Sequence, residues 1–148
     1  MKVAHLDTAR SWRGGQQQVL LLTEGLLARG IECLLLAPTA PLLERAAAAG
    51  VATEAWGSRG EWDLGAVVRA RGMLDRFRPD VVHLHSAHAH TLGMLAAWGR
   101  GFPPVVVSRR VDFAVGTNAL QERQTLRVKI GEDWITCAIP SLEEAEAH

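Results

Sequence analysis

A strand–loop–helix–strand pattern at the start of the chain constrains the fold more than any other feature. Residues 2–6 are mostly apolar, and a polar loop that ends in Gly14 and Gly15 follows them. Residues 16–29 then carry apolar side chains at helical spacing, and residues 32–37 form an apolar run without alternation. Such a run is typical of a strand that is covered on both faces of a parallel sheet. The pattern therefore predicts a βαβ unit with a glycine pair where the loop meets the helix.

The same alternation of strands and helices continues along most of the chain. Further strands are predicted at residues 51–55, 81–85 and 105–108, and further helices at residues 41–49, at 64–77 and up to about residue 99. In the last of these helices, Leu92, Leu95 and Trp98 are expected to face the core. Alternating strands and helices imply a parallel sheet with right-handed crossovers. The predicted fold class is therefore α/β, a Rossmann-like doubly wound parallel sheet.

The alternation ends near residue 118, and the remaining residues show a different pattern. Two strands are predicted at residues 126–130 and 134–139. Ser141 has the spacing of a helix cap and predicts a short final helix. We therefore expect one Rossmann-like domain over residues 1–118 and a divergent tail over residues 119–148.

Charge and composition exclude several classes of protein. The 16 Lys and Arg residues balance the 16 Asp and Glu residues, so no global field attracts nucleic acid. The five tryptophans are scattered and form no platform for base stacking. Asp7 and Arg10 interrupt the first apolar run, so no signal peptide is predicted, and no apolar segment reaches the ~20 residues that span a bilayer. We expect a cytoplasmic protein with Cys33 and Cys137 as reduced thiols.

The expected strand order places a candidate site between two loops. In the commonest doubly wound order, the first strand lies beside the fourth, and a ligand crevice opens at their carboxyl ends. The loops at residues 11–15 and 86–90 would then face each other. Backbone amides at a helix start can bind an anion, so Gly14 and Gly15 either hold a phosphate or sugar oxygen or serve only a tight turn. Arg13 either adds charge to the same anion or is solvated.

Four histidines lie close together around the predicted fourth strand. His85 ends this strand, where a side chain enters the crevice, and it is the candidate ligand-contacting residue. His83 lies one pleat deeper and is expected to be a hydrogen-bonded core residue. No role is predicted for His88 and His90. The spacing of the four residues matches no standard zinc motif, so we expect no metal site.

A basic pair follows the predicted fifth strand at the same edge of the sheet. The guanidinium groups of Arg109 and Arg110 could hold a phosphate or a carboxylate, or they could form a solvated basic pair. Asp112 could serve as a general base or as the partner of an ion pair.

Taken in order, four segments carry a resemblance to a known family. They read RGGQQQV at residues 13–19, LLARGIE at 26–32, RPDVVHLHS at 78–86 and VVVSRRVD at 105–112. This series resembles the N-terminal domain of glycosyltransferase family 4, whose members are retaining enzymes of the GT-B fold. The resemblance covers about residues 2–118.

The resemblance implies roles for individual residues. Gly14 and Gly15 match the glycine loop that lies near the donor phosphates and the transferred sugar. His85 matches the histidine beside the donor sugar at the reaction centre, and it is the candidate catalytic residue. Ser86 and Arg109 match the edge of the cleft. The family's catalysis needs no bound metal, and no cofactor is implied.

The resemblance also implies partners. The donor would be a nucleotide sugar, and the acceptor a glycan or a lipid-linked molecule, which would bring the chain to the inner face of a membrane. In the family, a second Rossmann-like domain holds most of the donor. Because the sequence shows no such domain, we expect an acceptor-side half that is inactive or very weak alone and prone to self-association.

Two other functions stay open on the sequence. The chain could be a non-catalytic carbohydrate- or nucleotide-binding module, or a subunit completed by a separate chain. It could also be a flavodoxin-like or response-regulator-like signalling domain, although the first strand lacks the acidic cluster of such domains.

Overall fold

The computed structural model describes residues 1–39, 41–60, 63–98 and 103–108, together with the backbone of residues 124–130 and 133–139. Its strands, in chain order, are β1 (Lys2–Leu6), β2 (Glu32–Ala37), β3 (Ala52–Ala55), β4 (Val81–Leu84), β5 (Val105–Val107), β6 (Gln124–Ile130) and β7 (Asp133–Ile139). Its helices are α1 (Gly14–Leu27), α2 (Pro41–Ala48), α3 (Leu64–Phe77) and α4 (Ala87–Ala97).

The seven described strands form one sheet in the order β3-β2-β1-β4-β5-β6-β7. The strands from β1 to β5 pair in parallel. This order confirms the predicted Rossmann-like doubly wound sheet and its central pair, β1 beside β4. A flavodoxin-like domain has the strand order 2-1-3-4-5. The flavodoxin-like alternative is therefore wrong.

Both strands that were predicted in the tail are present. β6 pairs antiparallel with β5, and β7 pairs antiparallel with β6, so the two strands extend one edge of the sheet. Residues 109–123 and the helix predicted from Ser141 lie outside the described residues. The domain boundary near residue 118 therefore stays a prediction.

Two apolar clusters cover the two faces of the sheet. One cluster lies under α3 and α4, and its buried members are Ala4, Leu6, Leu34, Leu36, Trp56, Ala66, Ala70, Leu74, Val82, Leu84, Ala89, Leu92, Ala96 and Val107. The other lies under α1 and α2 and contains Val19, Cys33, Leu35, Ala37, Leu42, Ala46 and Val51. Successive strand residues point to opposite faces. His5 follows Ala4 and pairs with Leu35, so its side chain lies on the α1 face.

The last described helix ends earlier than its sequence predicts. α4 stops at Ala97, and Trp98 has an extended backbone with ψ of 124°. Its side chain is 78% exposed and Leu95 is 36% exposed, whereas Leu92 is buried as predicted. The expectation that Leu95 and Trp98 face the core was therefore wrong. For Trp98 the reason is that the helix ends one residue before it, so that helical spacing does not turn its side chain inward.

The structure bears on two expectations from the sequence, the one about membrane-spanning segments and the one about the thiol of Cys33. None of the helices in the described residues is both long enough and apolar enough to cross a membrane. Cys33 is a free thiol in the buried part of β2, and its burial raises the pKa of that thiol. A buried thiol with a raised pKa forms little thiolate, so Cys33 is chemically inert in the folded chain.

Candidate functional site

The carboxyl ends of β1 and β4 meet at the middle of the sheet, and hydrogen bonds join the two loops that follow them. The backbone amide of Thr8, just after β1, donates to Ser86 Oγ over 3.1 Å. The hydroxyl of Thr8 lies 2.7 Å from the same oxygen. Ser86 Oγ also accepts from the amide of Ala89 at 3.3 Å and so caps α4. The structure therefore gives Ser86 a positioning role, and its predicted contact with a ligand stays a prediction.

The buried carboxylate of Asp7 forms hydrogen bonds that fix the loop before α1. Asp7 is fully buried, and its Oδ1 accepts from the amide of Ala9 at 2.9 Å. Its Oδ2 accepts from Gln16 Nε2 at 3.1 Å. Gln16 Oε1 in turn accepts from the amide of Arg13 at 3.2 Å. Sequence reasoning missed Asp7 and Gln16, although the spacing of three residues from Arg13 to Gln16 is that of a helix cap and could have indicated it.

The surroundings of Gly14 favour one of the two interpretations of the glycine pair. Gly14 is exposed, and a Cβ placed there would meet no described atom within 4 Å. Among the described glycines, a positive φ occurs at Gly30 and Gly50, where glycine is required to end a helix, and not at Gly14 or Gly15. Neither backbone strain nor internal packing therefore requires glycine at position 14. Open space above a helix start fits the close approach of a ligand.

Three histidine rings lie together on the α1 face of β1 and β4. His5 pairs with His83 across the two strands, and His85 lies two residues further on the same face. The Nδ1 atom of His5 lies 3.0 Å from Nε2 of His85. The rings of His83 and His85 are tilted by 36° with centroids 3.9 Å apart. Sequence reasoning predicted a site role for His85 and a core role for His83, but it missed His5.

His5 is the most enclosed member of this histidine cluster. It has no exposed surface, and burial lowers its pKa to about 4. Its Nε2 atom has no hydrogen-bond partner among the residues that the structure describes. Near neutral pH, His5 is therefore an uncharged ring with a hydrogen bond to His85.

The histidine cluster could in principle bind a metal ion, since one nitrogen from each ring lies within 4.8 Å of the others. A tetrahedral zinc site needs three lone pairs that converge on one point about 2.0–2.1 Å away. Here His83 Nε2 lies 2.7 Å from the hydroxyl of Ser108, and His5 and His85 are bonded to each other. An ion would have to break at least one of these contacts. The hydrogen bond that was predicted for His83 is thus confirmed.

A cavity lies beside the glycine loop, at the carboxyl ends of β2 and β3. It encloses about 350 Å³ and is lined by Arg10, Pro38, Thr39, Ala55, Trp56 and Gly57. Arg10 Nη2 donates to the carbonyl of Ser58 at 3.1 Å, which holds the guanidinium group at the rim. Trp56 is almost fully buried, and its indole nitrogen donates to the carbonyl of Ala66 at 3.0 Å. The cavity is therefore lined on one side by a buried, hydrogen-bonded indole ring and carries a guanidinium group at its rim.

Some predicted site residues cannot be placed. Arg109, Arg110 and Asp112 lie outside the described residues. Arg13 is exposed at the start of α1, and its contact with an anion stays a prediction. His88 is exposed and His90 half-buried in the first turns of α4, and neither gains a role from this placement.

The fold resembles solved glycosyltransferase structures. For Anabaena Alr3699/HepE in complex with UDP-glucose, the TM-score is 0.59 at 15% identity, with 72% of this chain and 28% of that chain covered. For a glycosyltransferase from Rickettsia africae, the TM-score is 0.57 at 12% identity, with 64% of this chain and 26% of that chain covered. The chain thus spans less than a third of either structure, and the likeness shows the fold. A comparison with curated proteins found no match.

The residue pattern, unlike these distant structures, identifies a family. The sequence model of Glycosyltransferase Family 4 matches residues 12–135. The match includes the glycine loop, β4 with His83, the adjoining His85, and β5. It covers most of the chain and confirms the resemblance that the four sequence segments indicated. The chain belongs to Glycosyltransferase Family 4.

Proposed function

We propose that the chain is the acceptor-side half of a retaining glycosyltransferase that moves a hexosyl group from a nucleotide sugar to a glycan or a lipid-linked acceptor. The observation that carries this proposal is the position of His85 in a chain of this family. His85 lies at the carboxyl end of β4, and its backbone amide donates to the carbonyl of Leu6 at the end of β1 over 2.9 Å. This is the crevice in which a doubly wound sheet binds ligands.

The donor would bind at the glycine loop and at His85. The amides of Gly14 and Gly15 face the donor phosphates, where the helix dipole favours negative charge. His85 contacts the transferred sugar, and Arg13, Ser86 and Arg109 lie at the edge of the cleft. One structure of similar fold holds UDP-glucose and another holds UDP, which supports a uridine nucleotide as the first donor to test. These residues promote transfer by orienting the sugar and stabilising the leaving phosphate.

The acceptor would enter from the side of the cavity that Arg10 borders. Its volume of about 350 Å³ fits part of a glycan rather than a whole chain. A guanidinium group at the rim suits an acceptor with a phosphate or carboxylate next to the reacting hydroxyl, as in a lipid-linked glycan. Such an acceptor would bring the protein to the cytoplasmic face of a membrane as a peripheral protein.

The chain would need a second unit for efficient turnover. It covers 28% of the length of the Anabaena structure, and in the family most of the donor is held by a second domain. That unit could be another segment of polypeptide or a separate chain. If the completed assembly bound its ligands without turnover, the chain would be the non-catalytic binding subunit that the sequence left open. A sugar-transfer assay with the completed assembly distinguishes this subunit from the catalytic half.

Calorimetry on the chain tests the donor site directly. UDP-glucose and a GDP-sugar would be titrated with and without magnesium, into the wild-type chain and into His85→Ala. We expect weak binding of one donor class that is independent of magnesium and that His85→Ala reduces about tenfold, the effect of one hydrogen bond in a buried site. Glu32→Ala is the control, since Glu32 forms an exposed ion pair with Lys2 at the opposite edge of the sheet. Equal affinities of wild type and His85→Ala would contradict the assignment of His85.

A further inference from the structure

Asp7 anchors the start of the loop between β1 and α1 to the sheet. Its backbone amide donates to the carbonyl of Leu36 in β2 over 3.0 Å, and its side chain has no exposed surface. Its Oδ1 atom accepts from the amide of Ala9, two residues further on, which closes a turn of the chain. One end of the loop is therefore fixed by both the backbone and the side chain of the same residue.

Gln16 fixes the other end of the loop. This residue lies in the first turn of α1 and is buried. Its Oε1 atom accepts from the backbone amide of Arg13 at 3.2 Å, and its Nε2 atom donates to Asp7 Oδ2 at 3.1 Å. A backbone amide can only donate, so the carboxamide oxygen must face Arg13 and the carboxamide nitrogen must face Asp7. The two partners thus decide the orientation of the Gln16 side chain.

These contacts also decide which amide at the start of α1 is left for a ligand. The amide of Arg13 is bonded to Gln16, and the amides of Gln16 and Gln17 both donate to the carbonyl of Arg13. The amide of Gly14 has no acceptor among the residues that the structure describes. Gly14 is exposed as well. An anion at this helix start can therefore accept from the Gly14 amide without displacing a contact of the protein.

We propose that Asp7 and Gln16 are positioning residues, which hold the Arg13 amide against the protein and so aim the Gly14 amide at the donor phosphate. Both side chains are buried, so their effect on binding passes through the backbone of Arg13 and Gly14. A donor that is held in place before the ligand arrives costs no reorganisation on binding. The identity of the ligand rests on the proposed function, whereas the hold on Arg13 does not.

The same contacts can be kept with the two side-chain groups exchanged. In Asp7→Asn alone, the new amide nitrogen faces Gln16 Nε2, and turning the Gln16 carboxamide over would put its nitrogen against the Arg13 amide. In Gln16→Glu alone, two carboxylates face each other. In the double variant Asp7→Asn/Gln16→Glu, the asparagine accepts from Ala9 and donates to the glutamate, which accepts from Arg13. The double variant therefore retains all three hydrogen bonds, whereas each single variant loses at least one.

Hydrogen exchange of the full ¹⁵N-labelled chain without ligand tests the hold on Arg13. We expect the Arg13 amide to exchange about tenfold faster in Asp7→Asn than in the wild type, the effect of one lost hydrogen bond. The double variant should return to within about threefold of the wild-type rate. Equal exchange rates of this amide in all three chains would overturn the proposal. If Asp7→Asn does not fold, Gln16→Ala, which removes the carboxamide and leaves Asp7 in place, is measured with the same expectation.

The affinity for UDP-glucose, measured by calorimetry at a temperature where every variant is folded, tests the effect on the ligand. Asp7→Asn removes a negative charge, which alone would strengthen the binding of a phosphate. We expect it instead to weaken binding about tenfold, and the double variant to restore the affinity to within about threefold of the wild type. Stronger binding by Asp7→Asn would show that the ligand responds to the charge and not to the hydrogen bonds, which would overturn the proposal.

Thr23→Val is the matched control for stability. Thr23 is buried in α1, and its hydroxyl donates to the carbonyl of Leu20 at 2.8 Å, so this variant also loses one hydrogen bond of the helix, but away from the loop. We expect it to bind UDP-glucose as the wild type does. Equal losses of affinity in Thr23→Val and Asp7→Asn would indicate a general loosening of α1 and would overturn the proposal. If no form of the chain binds UDP-glucose, the proposed function fails, and the exchange rates of the Arg13 amide alone decide whether Asp7 and Gln16 position the loop.

Discussion

The hydroxyl of Thr8 lies 2.7 Å from the hydroxyl of Ser86, and this contact joins the loops that follow β1 and β4. The two residues are 78 positions apart in the sequence. Ser86 has a second task that Thr8 lacks, because its oxygen also accepts from the amide of Ala89 at the start of α4. One serine thus fixes both the start of a helix and the distance between two loops of the candidate site.

This arrangement predicts unequal effects of removing the two hydroxyls. Thr8→Val should lower the free energy of unfolding by about 1 kcal/mol, the net value of one hydrogen bond. Ser86→Ala should lower it by about 1–3 kcal/mol, because it loses that bond, the bond from the Thr8 amide and the cap of α4. Urea unfolding of the single variants and of the double variant measures both values and their coupling. Equal losses in the two single variants would contradict the capping role of Ser86.

Gly14 provides a test of ligand approach that is separate from stability. Because a Cβ at this position meets open space, Gly14→Ala should leave the thermal midpoint unchanged or raise stability by up to about 1 kcal/mol, as expected for alanine in a helix. The same change should weaken donor binding in calorimetry, since the methyl group occupies the space above the helix start. Gly72→Ala in the half-buried middle of α3 is the control. Unchanged donor affinity in a folded Gly14→Ala chain would show that no ligand approaches this residue.

Gly93→Ala, unlike Gly14→Ala, should lower the stability of the chain. A Cβ on Gly93 of α4 would lie 2.5 Å from Cδ2 of Leu84, which is fully buried in β4, so that a shift of the Leu84 side chain would crowd the surrounding core. We expect Gly93→Ala to lower the free energy of unfolding by about 1–3 kcal/mol, the usual effect of overpacking a core. Gly72→Ala, whose Cβ would approach only Arg76 Nη1 at 3.8 Å, should instead raise it by up to about 1 kcal/mol.

A second substitution shows whether crowding causes this loss. Shortening the neighbour in the double variant Gly93→Ala/Leu84→Val removes the atom that the new methyl group meets. The double variant should then be more stable than the sum of the two single effects predicts, because contacting residues couple. Simple additivity would mean that the loss in Gly93→Ala has another origin.

Local sequence patterns predicted the parallel sheet well because four of its five strands, β1, β2, β4 and β5, are mostly apolar. The βα rhythm and the handedness of crossovers allow more than one order of strands, and the order was expected only because it is the commonest doubly wound arrangement. The pattern failed at Trp98, where the apolar spacing continues but the helix does not. Helix ends depend on the last turn and its surroundings, which the spacing of apolar residues does not describe.

The candidate site was predicted only in part, because its decisive contacts join distant residues. His85 and Gly14 could be found from their places after a strand and before a helix. His5 could not be found in that way, since its importance comes from the register that sets it opposite His83. Asp7 likewise gains its role from the backbone amide of Ala9 and the side-chain amide of Gln16, which both donate to its carboxylate. A single sequence shows which residues end a strand, but not which side chains meet across two strands.

The low pKa of His5 predicts how stability depends on pH. The group has a pKa of about 4 in the folded chain against 6.5 in the unfolded chain. Between these values the unfolded chain binds a proton that the folded chain does not, so acid favours unfolding. The stability linked to His5 is complete above pH 6.5 and is lost as the pH falls toward 4, by up to about 3 kcal/mol over the whole window.

Urea unfolding at several pH values from 7.5 to 5 measures this contribution against His5→Asn, in which the group cannot titrate. Carboxylates titrate in both chains and cancel in the difference, and the rings of His83 and His85, which face His5, are present in both. Once the pH is well below 6.5, each further unit of pH decrease should lower the free energy of unfolding of the wild type by about 1.4 kcal/mol relative to that of His5→Asn. A difference that stays constant over this range would mean that His5 is protonated equally in the folded and unfolded chains, and that its ring is less enclosed in solution than in the structure.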